Sequence, residues 1–318
     1  MTAAIRAEHL RKVYPKSPPG TAALDDLSLE VPTGRVFGVI GRNGAGKTTF
    51  VRCASTQLAP TSGRLTVLGN EVGEDDRAIR ARIACVPQES RPLYFLKVEE
   101  VVYLYLKLRG LESAEAHRRT RDVLAELSLT EYAQRGVSRL SGGLRRRTMC
   151  AMVLASDAEV HYLDEPTTGL DPIARREVWE SIRRASREQR TIVLTTHYLD
   201  EAEALSTRLA LVERGRVLLE GSPAELRGRV RYPYRVVIQG TYPREELDTY
   251  GRVSAIEGGY LVFARESEAR EIARRALERG VRVSLGPVSL EDIFLDVVGS
   301  SIEADAPSEG AEAAESWS

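Results

Sequence analysis

Residues 35–52 read RVFGVIGRNGAGKTTFVR, and the rest of the chain is read outward from them. An apolar, β-rich run, Val36 to Ile40, enters a loop in which Gly41, Gly44, Gly46, Lys47 and Thr48 satisfy G-x-x-x-x-G-K-[ST], and a helical pattern follows. Glycines lack Cβ atoms, so the backbone of such a loop can curl around phosphate oxygens. Successive N–H groups and the positive end of the next helix then face the negative charge. Lys47 is placed to reach the β- and γ-phosphates and the Thr48 hydroxyl to take one position on Mg²⁺, while Thr49 continues the helix. The motif calls for a nucleoside triphosphate. By itself it does not separate a kinase, a GTPase and a motor.

Composition bounds the rest. A length of 318 residues suggests about two domains, and 42% hydrophobic content suffices for ordinary globular cores. Lys plus Arg number 45 against 46 Asp plus Glu, which gives no electrostatic case for nucleic acid as the main partner. Cys53, Cys85 and Cys150 are too dispersed for a disulfide framework or a C-x-x-C metal site, and the N-terminus shows no signal-peptide apolar core. A reducing cytoplasm is expected. The most apolar candidate, Val98 to Leu108, is interrupted by Glu99, Glu100 and Lys107, so no stretch reaches the roughly 18 apolar residues of a membrane span.

Two strands are expected at the start, Ile5 to Leu10 and Ala23 to Val31, separated by the turn PKSPPG. Tyr14, just before that turn, is either an aromatic face for an adenine ring or a packing tyrosine. After the glycine-loop helix come a turn at Pro60 to Gly63, a strand at Arg64 to Leu68, a polar segment, and a strand at Ile83 to Val86 that Pro87-Gln88 ends. Gln88 is placed either to put its carboxamide on Mg²⁺ or the attacking water, or to be a solvated loop residue. From Val98 to about Ser138 the pattern turns helical, with Val101, Leu104, Tyr105 and Leu108, then Val123, Leu124, Leu127 and Leu129 at helical spacing. The charges from His117 to Arg121 read as a solvated face.

Leu140-Ser141-Gly142-Gly143 opens a helix that runs to about Ala155. Ser141 is a good N-cap, and the two glycines also leave the first N–H groups open to a phosphate; Arg145-Arg146-Arg147 fits either use. Val160 to Leu163 is an apolar strand ending in Asp164-Glu165, an acidic pair at the carboxyl end of a strand, where open α/β sheets bind ligands. Asp164 is placed to hold Mg²⁺ through water and Glu165 to orient and polarise the attacking water. His161, inside the strand, reads as packed. Gly169-Leu170-Asp171-Pro172 is a tight loop before the helix Ile173 to Arg187, and Thr191 to Thr196 is a buried strand with His197 at its end. On that sheet edge His197 is positioned to donate to a γ-phosphate.

Taken in order, these segments resemble the ATP-binding cassette of ABC transporters over about residues 4–225. The resemblance implies an α/β fold, a P-loop NTPase cassette with a RecA-like core, an antiparallel β subdomain and a helical subdomain at about 89–140, all within a domain at 1–228. It assigns nucleotide contacts to Tyr14 (the adenine platform), Gly41, Asn43, Gly44, Ala45, Gly46, Lys47, Thr48 and Thr49, to the signature Ser141, Gly142 and Gly143, and to Asp171 of the D-loop. Glu165, the switch His197 and the Q-loop Gln88 become catalytic, and Thr48, Gln88 and Asp164 ligands of Mg²⁺. ATP and Mg²⁺ are the implied substrate and cofactor. The implied assembly is a head-to-tail pair of cassettes, homodimer or heterodimer, each ATP lying between one subunit's P-loop and the other's Ser141 to Gly143. Leu144 departs from the family's glutamine at the end of LSGGQ, which removes any amide contact from that side chain.

From about Tyr232 a βαββαβα order predicts a small α+β domain at 229–299, followed by a tail at 300–318 with five acids and no Lys or Arg, a disorder composition. The second domain, including Ser289 to Phe294, resembles the C-terminal extension on cassette subunits of ABC-2 class drug and antibiotic exporters. The expected function is the cytoplasmic ATPase of an exporter, held at the inner face of the membrane by separate permease subunits, which Pro92 to Phe95 are expected to contact. A soluble cassette ATPase of DNA repair or translation is the alternative. A long coiled-coil insertion, zinc-spaced cysteines or a second cassette would favour it, and the sequence contains none of them.

Overall fold

Apolar residues alternate along Ala3–Lys12 (β1) and Leu24–Pro32 (β2), and the two pair antiparallel with Ile5 opposite Val31 and Ala7 opposite Leu29. Val36–Ile40 (β3) does not alternate: all five residues are buried, as in a parallel strand covered on both faces, and it leads through the glycine loop into Lys47–Ala54 (α1). Ser62–Val67 (β4) and Asn70–Glu71 (β5) complete an antiparallel sheet of order β2-β1-β4-β5. The polar segment after it contains a short helix, Asp76–Arg82 (α2), with Ile79 buried. The computed structural model describes residues 3–15, 18, 21–86 and 95–294, which divide into two units after Leu226. Gln88, Tyr94 and the acidic tail lie outside the described residues.

A second sheet carries the site. Ile83–Val86 (β6), Val160–Asp164 (β7) and Thr191–Thr196 (β8) run parallel to β3, and Arg208–Glu213 (β9) and Arg216–Gly221 (β10) extend the other edge, in the order β10-β9-β3-β8-β7-β6. Every pair is parallel except β9 with β10. Register pairs Ile40 with Thr196 and Asp164 with Thr195, so the residues after β3, β7 and β8 emerge together at one carboxyl edge. The β9–β10 hairpin, which the sequence reading did not mark, turns through Arg214 and Gly215, both at positive φ (47° and 76°).

Val98–Leu108 (α3), Ser113–Glu126 (α4) and Gly142–Leu154 (α5) share a core with Val102, Leu106, Val123, Leu124 and Leu127 at its centre. Here the inward stripe differs from the predicted one: Leu104 and Leu108 are 37% and 79% exposed. Apolar residues occupy more than one face of α3, so spacing alone did not choose the buried one. Pro172–Arg187 (α6), Leu199–Leu205 (α7) and Pro223–Arg229 (α8) follow.

The second unit is built from Tyr234–Gln239 (β11), Arg244–Leu247 (α9), Gly251–Ile256 (β12), Gly259–Ala264 (β13), Glu266–Glu278 (α10) and Arg282–Pro287 (β14), with a final helical turn at 290–294. Its antiparallel sheet has the order β12-β13-β11-β14, and Val236, Ile238, Val262 and Ala264 on one face pack with Ala269, Ile272 and Ala276 of α10. The helix expected to reach Tyr250 ends at Leu247, because the chain must turn in time for Gly251 to pair with Ala264. Among the described residues of the chain no helix is long and apolar enough to cross a membrane.

Candidate functional site

The loop between β3 and α1 needs its glycines for close approach. A Cβ on Gly41 would lie 2.1 Å from the Val212 carbonyl oxygen, and one on Gly46, which sits at φ 109°, would lie 2.6 Å from that of Ala23. The hairpin turn braces the loop: Gly215 N–H donates to the Ala45 carbonyl at 2.8 Å, and Asp25 N–H donates to the Gly215 carbonyl at 3.0 Å. Asn43 and Gly44 are exposed at the loop's crest. Gly46 caps α1 with no side-chain acceptor, so no side chain competes for the helix's first N–H groups, the arrangement an anion uses.

Lys47 is 5% exposed, and its ammonium donates to the carbonyls of Gly41 (2.7 Å) and Arg42 (3.1 Å) while lying 3.7 Å from Glu165 Oε1. Burial pushes its pKa below the usual lysine value, and the charges of Glu165 and Asp164 pull the other way. Thr48 Oγ1 donates to Asp164 Oδ1 at 3.3 Å, and Thr195 Oγ1 donates to the same oxygen. Glu165 sits at φ 50°, a left-handed conformation that costs a non-glycine residue about 1 kcal/mol or more. It is held there from several sides. Its N–H donates to Thr195 O (3.1 Å) and Oγ1 (3.0 Å), Thr168 Oγ1 donates to its Oε2 (3.2 Å), and the Arg146 guanidinium donates to its carbonyl (2.7 Å) and to that of Asp164. His197 Nδ1 comes within 3.2 Å of Glu165 Oε1, a close approach that is out of line for a hydrogen bond.

The structure thus brings Lys47, Thr48, Asp164, Glu165 and His197 to one sheet edge. Tyr14 joins them through a 3.2 Å hydrogen bond between its hydroxyl and Thr49 Oγ1, which fixes a half-buried ring beside the glycine-loop helix. Ser141, Gly142, Gly143 and Asp171 make different contacts within the chain. Ser141 Oγ accepts from Leu144 N–H (3.3 Å) as the cap of α5, and Gly143 lies against Leu170. Asp171 Oδ1 accepts from Ile173 N–H (3.0 Å) and Ala174 N–H (2.9 Å) as the cap of α6, and the Ala174 bond leads the causes that hold its carboxyl below the usual range. Ser141 and Gly142 are exposed, an open helix start facing away from their own fold.

Thr48 and Asp164 supply one hydroxyl and one carboxylate, hard oxygen donors of the kind Mg²⁺ takes when phosphate oxygens complete its shell. Among the described residues no cluster of three His, Cys, Asp or Glu side chains could form an all-protein metal cage. The residues present fit a phosphate-bound Mg²⁺.

Sequence reasoning missed Thr168, Thr195, Gly215 and Glu201, and it gave Arg146 no role apart from its two neighbours. Glu201 is fully buried on α7 and accepts from Thr167 Oγ1 (2.8 Å) and Trp179 Nε1 (2.9 Å), with burial pushing its pKa up. Its four-residue offset from His197 was the available signal, and a carboxylate in a charged segment gives none of burial.

A family model described as ABC transporter matches residues 24–168. The daunorubicin resistance ATP-binding protein DrrA2 of Streptomyces coeruleorubidus is 36% identical over 94% of this chain and 96% of its own length. The Nod factor export ATP-binding protein I of Rhizobium etli is 35% identical over 89% of this chain and 90% of its own. Among solved structures, the ATP binding subunit of an ABC transporter is 25% identical and superposes with a TM-score of 0.65 over 72% of this chain and 93% of its own.

Proposed function

The chain belongs to the ATP-binding subunits of ABC transporters, and from that premise we propose that it hydrolyses ATP to drive export of an organic molecule through separate permease subunits. The observation that carries the reading is the meeting of Lys47, Thr48, Asp164, Glu165 and His197 at one sheet edge. Relatives whose names cite drug resistance and Nod factor export support the direction of transport. The cassettes work as a pair beside the membrane, on its inner face.

In this reading the glycine loop and Lys47 bind the β- and γ-phosphates, and Tyr14 stacks on the adenine. Thr48 and Asp164, with Gln88, would hold Mg²⁺, whose positive charge would offset the negative charge that develops on the phosphates. Glu165 takes the proton of the attacking water, and its carboxylate is aimed by Thr168 from one side and the Lys47 ammonium from the other. His197 donates to the γ-phosphate. Ser141 to Gly143 present their helix start to the partner cassette's nucleotide, and Asp171 completes that interface; the Ser141 cap takes its hydrogen bond from the backbone N–H of residue 144, so the leucine side chain there leaves it intact.

Mixing Ser141→Arg protein with Lys47→Ala protein tests the shared site. Each variant alone should be inactive, whereas the mixture regains activity because one composite site of the heterodimer is intact. Failure to complement, with heterodimer formation shown by differential tags, would place the signature's action within its own chain.

A further inference from the structure

Two of the three arginines after the signature, Arg146 and Arg147, diverge. Arg147 turns to α6, donating to Glu177 at 2.6 Å and to the Leu127 carbonyl at 3.1 Å. Arg146 turns inward, is 9% exposed, and places one guanidinium nitrogen on the carbonyls of both Asp164 and Glu165. Consecutive carbonyls of an extended strand point to opposite sides, so a single nitrogen reaches both where the backbone leaves the extended form. Glu165 leaves it, at φ 50°. The clamp therefore fits the left-handed turn that aims the Glu165 carboxylate, and would lose one acceptor if residue 165 relaxed to the strand conformation.

We propose that Arg146 is a positioning residue for Glu165, a rigid link by which the signature helix holds the general base in its working conformation. Arg146 stands five residues after Ser141, the cap of α5, a distance of about 7.5 Å along the helix axis. A shift or rotation of α5 when its exposed start engages a phosphate is thereby handed to the backbone of Glu165 through one planar side chain. The link ties hydrolysis in one site to the engagement of the same chain's signature in the other. It rests on the hydrolytic reading given above.

Arg146→Met keeps an unbranched apolar stem in the buried channel and removes the donors. Its kcat for ATP should fall on the order of 10- to 100-fold, the loss expected for a charge-assisted hydrogen bond that matters to turnover, with ATP affinity unchanged because no P-loop contact is touched. Arg146→Lys, able to reach one carbonyl, should recover part of the rate. Glu177→Gln, which loosens the Arg147 anchor of the same helix without touching Asp164 or Glu165, should leave kcat near that of the native chain. In a Glu165→Gln background, measured by single turnover, Arg146→Met should have no further effect, since its target is already lost. An undiminished second loss in that background, an equal loss from Glu177→Gln, or matching drops in ATP affinity and kcat would each overturn the proposal. If Glu165→Gln alone leaves turnover unchanged, the hydrolytic reading itself fails.

Discussion

Lys47 and Glu165 stand 3.7 Å apart with 5% and 6% of their side chains exposed, whereas Arg270 and Glu266, 2.7 Å apart on α10, keep 71% and 51% of theirs in solvent. The shorter pair is the one that loses less when one partner is removed. In water, Coulomb attraction at contact is about 1 kcal/mol and is offset by side-chain ordering, while a buried pair sits where desolvation of each ion costs several kcal/mol and a missing partner is not replaced by solvent. A fold retains buried charge where something else depends on it. In the first unit that something is, on the function proposed above, phosphate chemistry, with Asp164 and Thr195 buried beside the pair; in the second, Arg274 with Glu271 and Arg275 with Glu271 repeat the solvated helix-face pattern.

The contrast breaks most visibly at Lys47. Replacing it with Ala removes the buried cation from two carboxylates and from the incoming phosphates, and ATP affinity should fall on the order of 100- to 1000-fold, as for a buried charge left without its partner. Equilibrium dialysis measures this directly. Unchanged affinity would mean that burial of Lys47 serves the fold alone. Glu165→Gln tests the other end of the pair: affinity persists, hydrolysis slows about a hundredfold or more, and ATP with Mg²⁺ traps a dimer visible by size-exclusion chromatography at high protein concentration. A fast-hydrolysing, monomeric variant would strip Glu165 of the general-base role.

Legibility followed the range of the signal. The glycine loop, the Asp164-Glu165 strand end and His197 were readable because each is a short run whose residue types announce a chemistry, and because strands fully buried on both faces read as apolar runs. The buttress was not readable. Gly215 supports the loop from about 170 residues downstream by a backbone contact, Arg146 acts through backbone carbonyls, and the stripe of α3 was misassigned where several faces were apolar. The same holds for His161: its place in a buried strand was visible, its electrostatic consequence was not.

That consequence is the next effect in size. His161 is fully buried on β7, and burial, with the charges of Arg190 and Arg109, pushes its pKa down to about 3. The unfolded chain binds a proton near the ordinary histidine value of 6.5 while the folded chain refuses it, so this stability is present above pH 6.5 and is lost as pH falls toward 3. Between pH 7 and pH 5 the loss should be about 2 kcal/mol. Urea unfolding of His161→Gln against the native chain should show that the variant lacks this part of the slope; parallel slopes would mean that His161 accepts a proton in place.

The smallest effect belongs to the second unit, and its smallness is what the comparison requires. Arg270 pairs with Glu266, and Arg274 with Glu271 and Glu278, all on the solvent face of α10 at helical spacings of three and four. Removing both arginines by Ala substitution exposes no buried ion, since their acidic partners are already hydrated, and alanine is itself the better helix former. Tm should stay within about 2 °C of the native value and any difference should shrink further in 1 M salt, where the screening length is about 3 Å. ATP hydrolysis by the whole chain should be unchanged. A loss of several times that Tm shift, insensitive to salt, would show that this face is covered in the working assembly and that its charges, like those beside the glycine loop, are kept for a partner.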